Sequence, residues 1–301
     1  MYDGLFAQQG LSLDRLRTFL RVVHAGNIAL AAPGDPIRQS QYSRQISELE
    51  TFFGQELFAR RGRTRALTPA GERLARSARD AFDRLADLHA EAHTGRATFT
   101  LGAGDSLLHG FVIARLGPAL AKLPKVQLSL VSLAGKDILE RIADARLDFG
   151  IVRATELPRG LRSAALGAVD YAVYAPRRML AKGASLDDLV ASAPFALQES
   201  EPRLNERLLE YARSRGVSLN VSLVCETFPQ AVLAAQSGHH AAFLPTLARD
   251  ALLARGVVEV PSSRLPKTTA KIALVWQERT ARVRALGETV AKTLSTALRL
   301  R

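Results

Sequence analysis

The sequence predicts an α/β multidomain protein with three successive parts: a winged helix-turn-helix domain over residues 1–68, a long linker helix over residues 69–94 and an α/β region over residues 95–301. Two observations predict this order. In the first part, three helical segments precede a short arginine-rich hairpin, which is the order of a winged helix-turn-helix. Beyond residue 95, strand-like and helical segments alternate, which favours a mostly parallel sheet.

The first predicted helix covers residues 13–23 and is amphipathic, with Ser12 placed to cap its N-terminus. Its apolar stripe consists of Leu13, Leu16, Phe19, Leu20 and Val23. Gly26 and Asn27 break the chain, and a short second helix follows over residues 28–32. Two prolines and a glycine at positions 33–36 predict an early end for that second helix, because proline cannot continue it.

Residues 38–54 predict a third helix with one apolar face and one face of hydrogen-bonding groups. Its apolar positions, Tyr42, Ile46, Leu49 and Phe53, recur at three- and four-residue steps. Serine, glutamine and arginine cover the rest, and these side chains can reach base edges in the major groove of DNA. The residues of this helix that we expect to contact DNA are Arg38, Gln39, Ser40, Gln41, Ser43 and Arg44.

A short hairpin is predicted directly after this helix. The apolar pairs Leu57-Phe58 and Ala66-Leu67 flank four arginines between positions 60 and 65, with Gly62 at the bend. Its expected DNA contacts, to phosphate or the minor groove, are made by Arg61, Arg63 and Arg65. The local arginine run carries this prediction, because residues 1–96 hold 14 arginines against 11 acidic residues and so contribute little of the net charge of +12.

The long helix has a stripe of apolar and small residues, here called the seam, whose spacing is typical of a helix that packs against another helix. Thr68 can cap it, and Pro69 suits its first turn. The seam consists of Gly71, Leu74, Ala78, Ala81, Leu85, Leu88 and Ala92. The partner is either a second copy of the chain or the helix's own domain, and the spacing alone favours the second copy only modestly.

Beyond residue 95, the predicted strands cover residues 98–103, 126–133, 149–152, 161–166, 171–175, 195–197, 219–224, 241–244, 257–260 and 271–276. The predicted helices cover residues 106–120, 136–145, 202–215, 228–237 and 281–300. Ligands bind such sheets at the carboxyl ends of strands, where loops and helix N-termini present free N–H groups. We therefore expect a binding site formed by residues 102–106, 132–136, 152–153, 198–200 and 226–228.

The ordered residues of the first part resemble the N-terminal domain of LysR-type transcriptional regulators. The residues that carry this resemblance are Phe19, Ala31, Ala32, Gln39, Ser43, Arg44, Gln45, Ile46, Leu49, Glu50, Gly54, Leu57, Phe58, Arg60 and the run from position 67 to 71, LTPAG. The resemblance implies a DNA-binding regulator that binds double-stranded DNA as a homodimer or homotetramer through its linker helix, with RNA polymerase left open as a further partner. Arg38 and residues 33–36 depart from the family pattern, so the operator sequence cannot be transferred from relatives.

The same resemblance covers the remainder of the chain, through the RLDFGI motif at residues 146–151 and the LAAQSG motif at residues 233–238. It implies a small-molecule effector domain of two lobes, like a type 2 periplasmic binding protein. Lobe I would cover about residues 97–170 and 269–301 and lobe II about residues 171–268, with crossings near residues 170–173 and 265–269. The positions where relatives line the inducer pocket are Ser106, Gly135, Arg153, Thr227 and Phe228.

Arg153 could hold a carboxylate through two hydrogen bonds, so an organic anion is the expected effector. Other interpretations stay open for three of these residues. Ser106 and Thr227 could be ordinary helix caps, and Arg153 could be a solvated side chain.

Catalytic and metal sites are not predicted, and no cofactor is expected. The adjacent His239 and His240 point to opposite sides of a strand, which suits no metal site. The single cysteine, Cys225, permits no intramolecular disulfide and suits the reducing cytoplasm. No apolar run is long enough for a membrane span. Two alternatives remain: an effector domain that serves only assembly, and a solute-binding module or enzyme on the C-terminal fold.

Overall fold

The computed structural model describes residues 5, 9–61, 64–158, 160–180, 185–261, 268–284 and 286–300. The chain divides into two compact units, Met1–Ala92 and His93–Arg301. Among the described residues, every helix is too short or too polar to cross a lipid bilayer.

The first unit contains helices and a hairpin in the order that the sequence predicts. Its elements are α1 (Leu13–Ala25), α2 (Ile28–Ala31), α3 (Pro36–Phe53), β1 (Phe58–Arg61), β2 (Thr64–Leu67) and α4 (Pro69–Thr94), the last of which ends in the second unit. Ser12 caps α1 by accepting a hydrogen bond from the Arg15 N–H. Thr68 caps α4 by accepting from the Gly71 N–H at 3.0 Å. The two predicted caps are therefore confirmed.

The proline-rich segment between α2 and α3 ends one helix and starts the next. As predicted, α2 ends before Pro33. The Asp35 carboxylate then accepts a hydrogen bond from the Arg38 N–H at 2.9 Å, and Pro36 occupies the first helical position. Aspartate before proline is a favourable helix start, with the cap contributing about 1 kcal/mol. Residues 33–36, which depart from the family pattern, thus place the start of α3 at Pro36, two residues before the predicted start at residue 38.

The core of the first unit holds α3 from behind. Leu49 is buried in one cluster with Phe19 of α1, and Tyr42 and Ile46 are buried in a second cluster with Val22 of the same helix. Two predicted apolar positions, Leu13 and Phe53, are exposed instead. These two residues lie in terminal turns of α1 and α3, so the prediction for them was wrong at the helix ends. The buried face of α1 is completed by residues the stripe omitted, Thr18 and Val22.

The second unit is an α/β domain in which nine described strands form one sheet and helices lie between them along the chain. Its strands are β3 (Ala97–Ala103), β4 (Val126–Ser132), β5 (Phe149–Arg153), β6 (Arg162–Pro176), β7 (Pro194–Gln198), β8 (Asn220–Cys225), β9 (Ala241–Pro245), β10 (Val257–Val260) and β11 (Thr269–Trp276). One helix, α5, starts as Asp105–Leu107, passes through a π-helical turn at Leu108–Val112 and continues as Ile113–Leu120. The other helices are α6 (Gly135–Ala143), α7 (Leu186–Ser192), α8 (Pro202–Ser214), α9 (Phe228–Gln236), α10 (Arg249–Leu253), α11 (Glu278–Val283) and α12 (Gly287–Ala297). The sequence did not predict α7 or α10.

The sheet is mixed rather than mostly parallel. Its strand order is β4-β3-β5-β11-β6-β9-β7-β8, with β10 also paired to β6. Pairs near the two edges are parallel, whereas β6 and β11 run antiparallel to their neighbours. The prediction of two strands over residues 161–175 was wrong, because β6 is one strand of 15 residues. It passes through the predicted crossing at residues 170–173, while residues 265–267 of the second crossing lie outside the described residues.

The predicted closing helix over residues 281–300 is two helices, α11 and α12, in the structure. Leu286 has a left-handed backbone, with φ of 67°. A Cβ added to Gly287 would lie 2.3 Å from the Ala281 carbonyl oxygen, so this close approach requires glycine. The turn directs the buried Arg284 guanidinium to Asp148, with Nη1 and Oδ1 2.5 Å apart.

Candidate functional site

The outward face of α3 is polar, as predicted, and Ser40, Gln41 and Ser43 are exposed on it. The Arg44 side chain is 82% exposed, and its Nε donates to Glu48 Oε1 at 3.0 Å. Glu48 Oε2 accepts from Arg15 Nε at 2.5 Å. The Arg15 guanidinium, together with that of Arg44, lowers the pKa of the Glu48 carboxyl below its usual value. Glu48 therefore stays charged and accepts a hydrogen bond from Arg44 Nε, while the rest of the Arg44 guanidinium faces outward.

Two predicted contact residues at the start of α3 also have structural partners. Arg38 lies beside its own cap, with Nε 3.5 Å from Asp35 Oδ2. Gln39 is half-buried, and its Nε2 donates to the Ala32 carbonyl oxygen at 2.8 Å. Because adenine is read by both groups of a glutamine amide, Gln39 would have to release Ala32 to read it.

Ile37 is a residue of this face that the sequence reasoning missed. Its side chain is 84% exposed, although it is large and apolar. It lies one turn before Gln41 and two turns before Arg44, on the same outward side of α3. The signal for it was the Asp35-Pro36 pair, which marks the first turn of the helix two residues before the predicted start.

The hairpin β1–β2 is antiparallel, with Arg60 opposite Arg65 and Arg61 opposite Thr64. Arg63 lies outside the described residues, and so do the side chains of Arg61 and Arg65. The contacts assigned to these three arginines stay predictions. Glu50 fixes the start of the hairpin to α3, because its Oε1 accepts from the Leu57 N–H at 2.9 Å.

The seam of the long helix α4 divides into a packed half and an exposed half. Gly71 packs so closely against the hairpin that an added Cβ would lie 2.2 Å from the Leu57 carbonyl oxygen. Ala78 is also buried. Further along, Leu85 is 46% exposed and Leu88 is 63% exposed.

In the second unit, the carboxyl ends of strands meet around a cavity of about 370 Å³. Three of the five predicted effector residues line it: Ser106, Gly135 and Arg153. Thr227 and Phe228 are not among the residues that line this cavity, and their part in effector binding stays a prediction. Thr227 caps α9 in a reciprocal pair with Gln230, and Phe228 is buried in a hydrophobic cluster with Tyr174 and Leu244.

Three polar contacts join the two sides of this cavity. Arg153 Nη2 lies 3.2 Å from Glu201 Oε2. Gln198 Nε2 donates to the buried Ser106 Oγ at 3.2 Å, so Ser106 is not the helix cap that was one interpretation of it. The Phe228 N–H donates to Asp105 Oδ2 at 2.5 Å.

The contact between Arg153 and Glu201 changes the interpretation of the cavity. Arg153, whose side chain is 36% exposed, faces a carboxylate that the sequence reasoning did not name. Burial raises the pKa of the Glu201 carboxyl and raises the pKa of Tyr171, which also lines the cavity, to about 12. The signal for Glu201 was its position directly after the predicted loop at residues 198–200.

Two family models match the chain, one for each part. The model of the bacterial regulatory helix-turn-helix protein, lysR family, matches residues 13–72, and the LysR substrate binding domain matches residues 92–295. The chain belongs to the LysR family. The resemblance inferred from the sequence is thereby confirmed, and so is the predicted order of a helix-turn-helix, a long linker helix and an α/β effector domain.

Similar proteins are LysR-type regulators from bacteria. The HTH-type transcriptional regulator TrpI of Pseudomonas aeruginosa is 37% identical over 127 residues, which cover 42% of this chain and 43% of that protein. This LysR-type chain spans about half the length of the first curated relatives that it matches.

Solved structures share the fold of this LysR-type chain along nearly its whole length. ArgP from Mycobacterium tuberculosis has a TM-score of 0.66 at 19% identity and covers 94% of this chain and 96% of its own. Full-length CbnR complexed with its target DNA has a TM-score of 0.53 at 18% identity and covers 95% of this chain and 100% of its own. These likenesses establish the fold alone.

Proposed function

We propose that this LysR-type chain is a sequence-specific DNA-binding transcriptional regulator that responds to a small molecule in the cavity of its second unit. The observation that carries the proposal is the construction of α3. Tyr42, Ile46 and Leu49 fix the helix from behind, while Ser40 and Arg44 stand exposed in front. Such a helix can enter the major groove without losing its core contacts. CbnR, which has the same fold, has been solved with its target DNA.

Each exposed group has a distinct part in this proposal. Arg44 can pair bidentately with guanine, and Gln41 with adenine. The arginines of the hairpin contact phosphate or the minor groove, which sets the position of the domain without reading sequence. The regulator acts on double-stranded DNA in the cytoplasm, and RNA polymerase is its natural further partner at a promoter.

Ile37 is expected to contact the methyl group of a thymine, because an apolar side chain in the major groove finds its apolar partner there. Replacing thymine with deoxyuridine at one operator position should weaken binding by wild-type protein about three- to fivefold, the loss expected from one buried methyl group. Ile37→Ala should bind both DNAs equally. Fluorescence anisotropy on paired duplexes measures this, with Leu30→Ala as an exposed apolar control that keeps the discrimination. Equal discrimination by wild type and Ile37→Ala would contradict the contact.

The regulator binds DNA as a homodimer joined through α4. Leu85 and Leu88 are exposed at helical spacing on the seam, which is the arrangement of an unpaired helix face. A twofold partner would place two copies of α3 on two half-sites.

Leu88→Glu should therefore shift the chain from dimer to monomer in sedimentation equilibrium and lower operator affinity at least tenfold. The reason is that a charge at the centre of an apolar seam loses its solvation. Leu253→Glu, an exposed leucine on α10, is the control and should remain dimeric. A dimer that survives Leu88→Glu would contradict the proposed interface.

The experiment that tests the function is selection of genomic fragments by the purified chain, followed by anisotropy measurements of the selected DNA. The proposal predicts a shared sequence in the selected fragments and an affinity that falls steeply as salt concentration rises. Fragments without a shared sequence, or an affinity independent of salt, would refute it.

A further inference from the structure

We propose that the cavity of the second unit binds a zwitterionic α-amino acid with an apolar side chain, its ammonium group at Glu201 and its carboxylate at Arg153 and the N-terminus of α6. The inference rests on the proposed function of this cavity as the effector site. It replaces the organic anion that the sequence suggested.

The charges that line the cavity are the first reason. Its ionisable lining groups are Asp105, Arg153, Glu201 and the Tyr171 phenol, which is neutral near pH 7. Two carboxylates against one guanidinium leave the wall negative, although the His109 imidazole lies 3.2 Å from Asp105 and offsets part of this charge when protonated. A simple anion would enter as a third negative group. A ligand with an ammonium group would not.

The two acids differ in what they can still bind. Both Asp105 oxygens are engaged, one by the Phe228 N–H and one by His109. Glu201 uses only Oε2, toward Arg153, and among the described residues its Oε1 has no hydrogen-bond partner. Glu201 is therefore the acid that can accept an ammonium group without losing an existing contact.

A carboxylate has its own place on the opposite side. The N-cap of α6, Ala134, makes no side-chain hydrogen bond to the helix, so the first N–H groups of α6 lack a cap. Ala134, Gly135 and Arg153 all line the cavity. Helix N–H groups and a guanidinium together favour a carboxylate. When the ligand ammonium binds Glu201 and the ligand carboxylate binds Arg153, each of these two side chains contacts an opposite charge of the ligand as well as its own partner.

The rest of the wall determines the side chain of the ligand. The residues between the charged groups are mostly apolar: Leu107, Leu133, Ile151, Val169, Leu247 and Ile272. A second charge on the ligand would lie against these groups without a partner. The volume of about 370 Å³ lies at the small end of ligand sites, which suits a single amino acid.

Thermal unfolding of the full chain with matched probes tests this assignment. The probes are L-leucine, L-valine, L-methionine and L-phenylalanine, together with the acid that lacks each amine and the amine that lacks each carboxylate. At about 100 times its Kd, one amino acid should raise Tm by about 5–10 °C. Its acid and its amine at the same concentration should give less than half of that rise.

Two variants assign the two ends of the ligand. Glu201→Gln should abolish the response to the amino acid, and Arg153→Gln should reduce it at least tenfold in affinity, whereas Glu199→Gln, an exposed acid outside the cavity, should respond like wild type. The proposal would be overturned if a carboxylic acid that lacks the amine raised Tm as much as its amino acid. It would also be overturned if none of the four amino acids raised Tm. Operator binding measured on the same samples distinguishes the proposed DNA binding from the proposed amino-acid effector. Intact DNA binding without any response to an amino acid would refute only the proposed effector.

Discussion

Arg284→Met is expected to lower the free energy of unfolding of the second unit by about 3–5 kcal/mol. Both members of the Arg284–Asp148 pair are buried, with side chains 8% and 10% exposed, and the facing atoms are 2.5 Å apart. Arg284 Nη2 also donates to the Thr98 carbonyl oxygen, and its guanidinium lies over the Phe99 ring at 4.3 Å. Removing the cation leaves the Asp148 carboxylate buried without its charged partner.

Asp148 explains the size of this effect. Its Oδ2 accepts hydrogen bonds from both the N–H and the hydroxyl of Thr100, at 2.7 and 2.9 Å. Asp148, which directly precedes β5, is therefore hydrogen-bonded to the middle of β3. Arg284, which directly follows α11, binds both Asp148 and the backbone of β3. Asp148 of the RLDFGI motif at residues 146–151 thus has a structural role, and it is not among the residues that line the cavity.

Denaturant unfolding followed by tryptophan fluorescence measures this prediction, since the single tryptophan of the chain, Trp276, lies on β11 in the same unit. Arg282→Met is the matched control. Arg282 is two residues away, has a side chain 64% exposed, and pairs with Glu278 on the surface. Arg282→Met should lower the free energy of unfolding by less than about 1 kcal/mol. Equal losses for the two variants would show that the buried clamp contributes no more than a surface pair.

Arg44→Ala is expected to weaken operator binding by about 1–3 kcal/mol and to relax base preference at one position. The arginine is exposed at the centre of the outward face, and Glu48 holds its Nε. Truncation removes the bidentate partner of one base pair while leaving the phosphate contacts unchanged. The salt dependence of binding should therefore change little compared with the loss of preference.

Arg61→Ala and Arg63→Ala supply the contrasting case. Each should weaken binding to all sequences alike and reduce the slope of log affinity against log salt by about one. Anisotropy titrations at several salt concentrations, on the operator and on single-base variants of it, separate the two behaviours. Equal loss of base preference from Arg44→Ala and Arg61→Ala would contradict the division between reading and positioning.

The first unit was predictable in detail because its signals are local. Caps such as Ser12 and Thr68, the break at Gly26 and the periodicity of Tyr42, Ile46 and Leu49 each depend on residues within a turn or two. The errors came at helix ends. There, periodicity continues to Leu13 and Phe53, but the core does not extend that far.

The second unit was predictable in its order of elements and less so in its contacts. Short apolar runs located nearly every strand, but periodicity cannot reveal that the two runs predicted between residues 161 and 175 belong to one strand, β6. Long-range pairs were also out of reach. Arg284 meets Asp148 across 136 positions, and Arg153 meets Glu201 across 48. The organic anion suggested by the sequence stays a prediction, and Glu201, the partner of Arg153, is visible only in the folded chain.

In the function proposed above, α3 lies in the major groove of a duplex at two half-sites. Dimethyl sulfate footprinting on a selected fragment tests it most directly, since the reagent methylates guanine N7 in the major groove and adenine N3 in the minor groove. We predict protected guanine N7 positions in two segments separated by about one helical turn, or a multiple of it, with one guanine regaining reactivity in Arg44→Ala. Unprotected guanines throughout a fragment that the protein retains would contradict the claim.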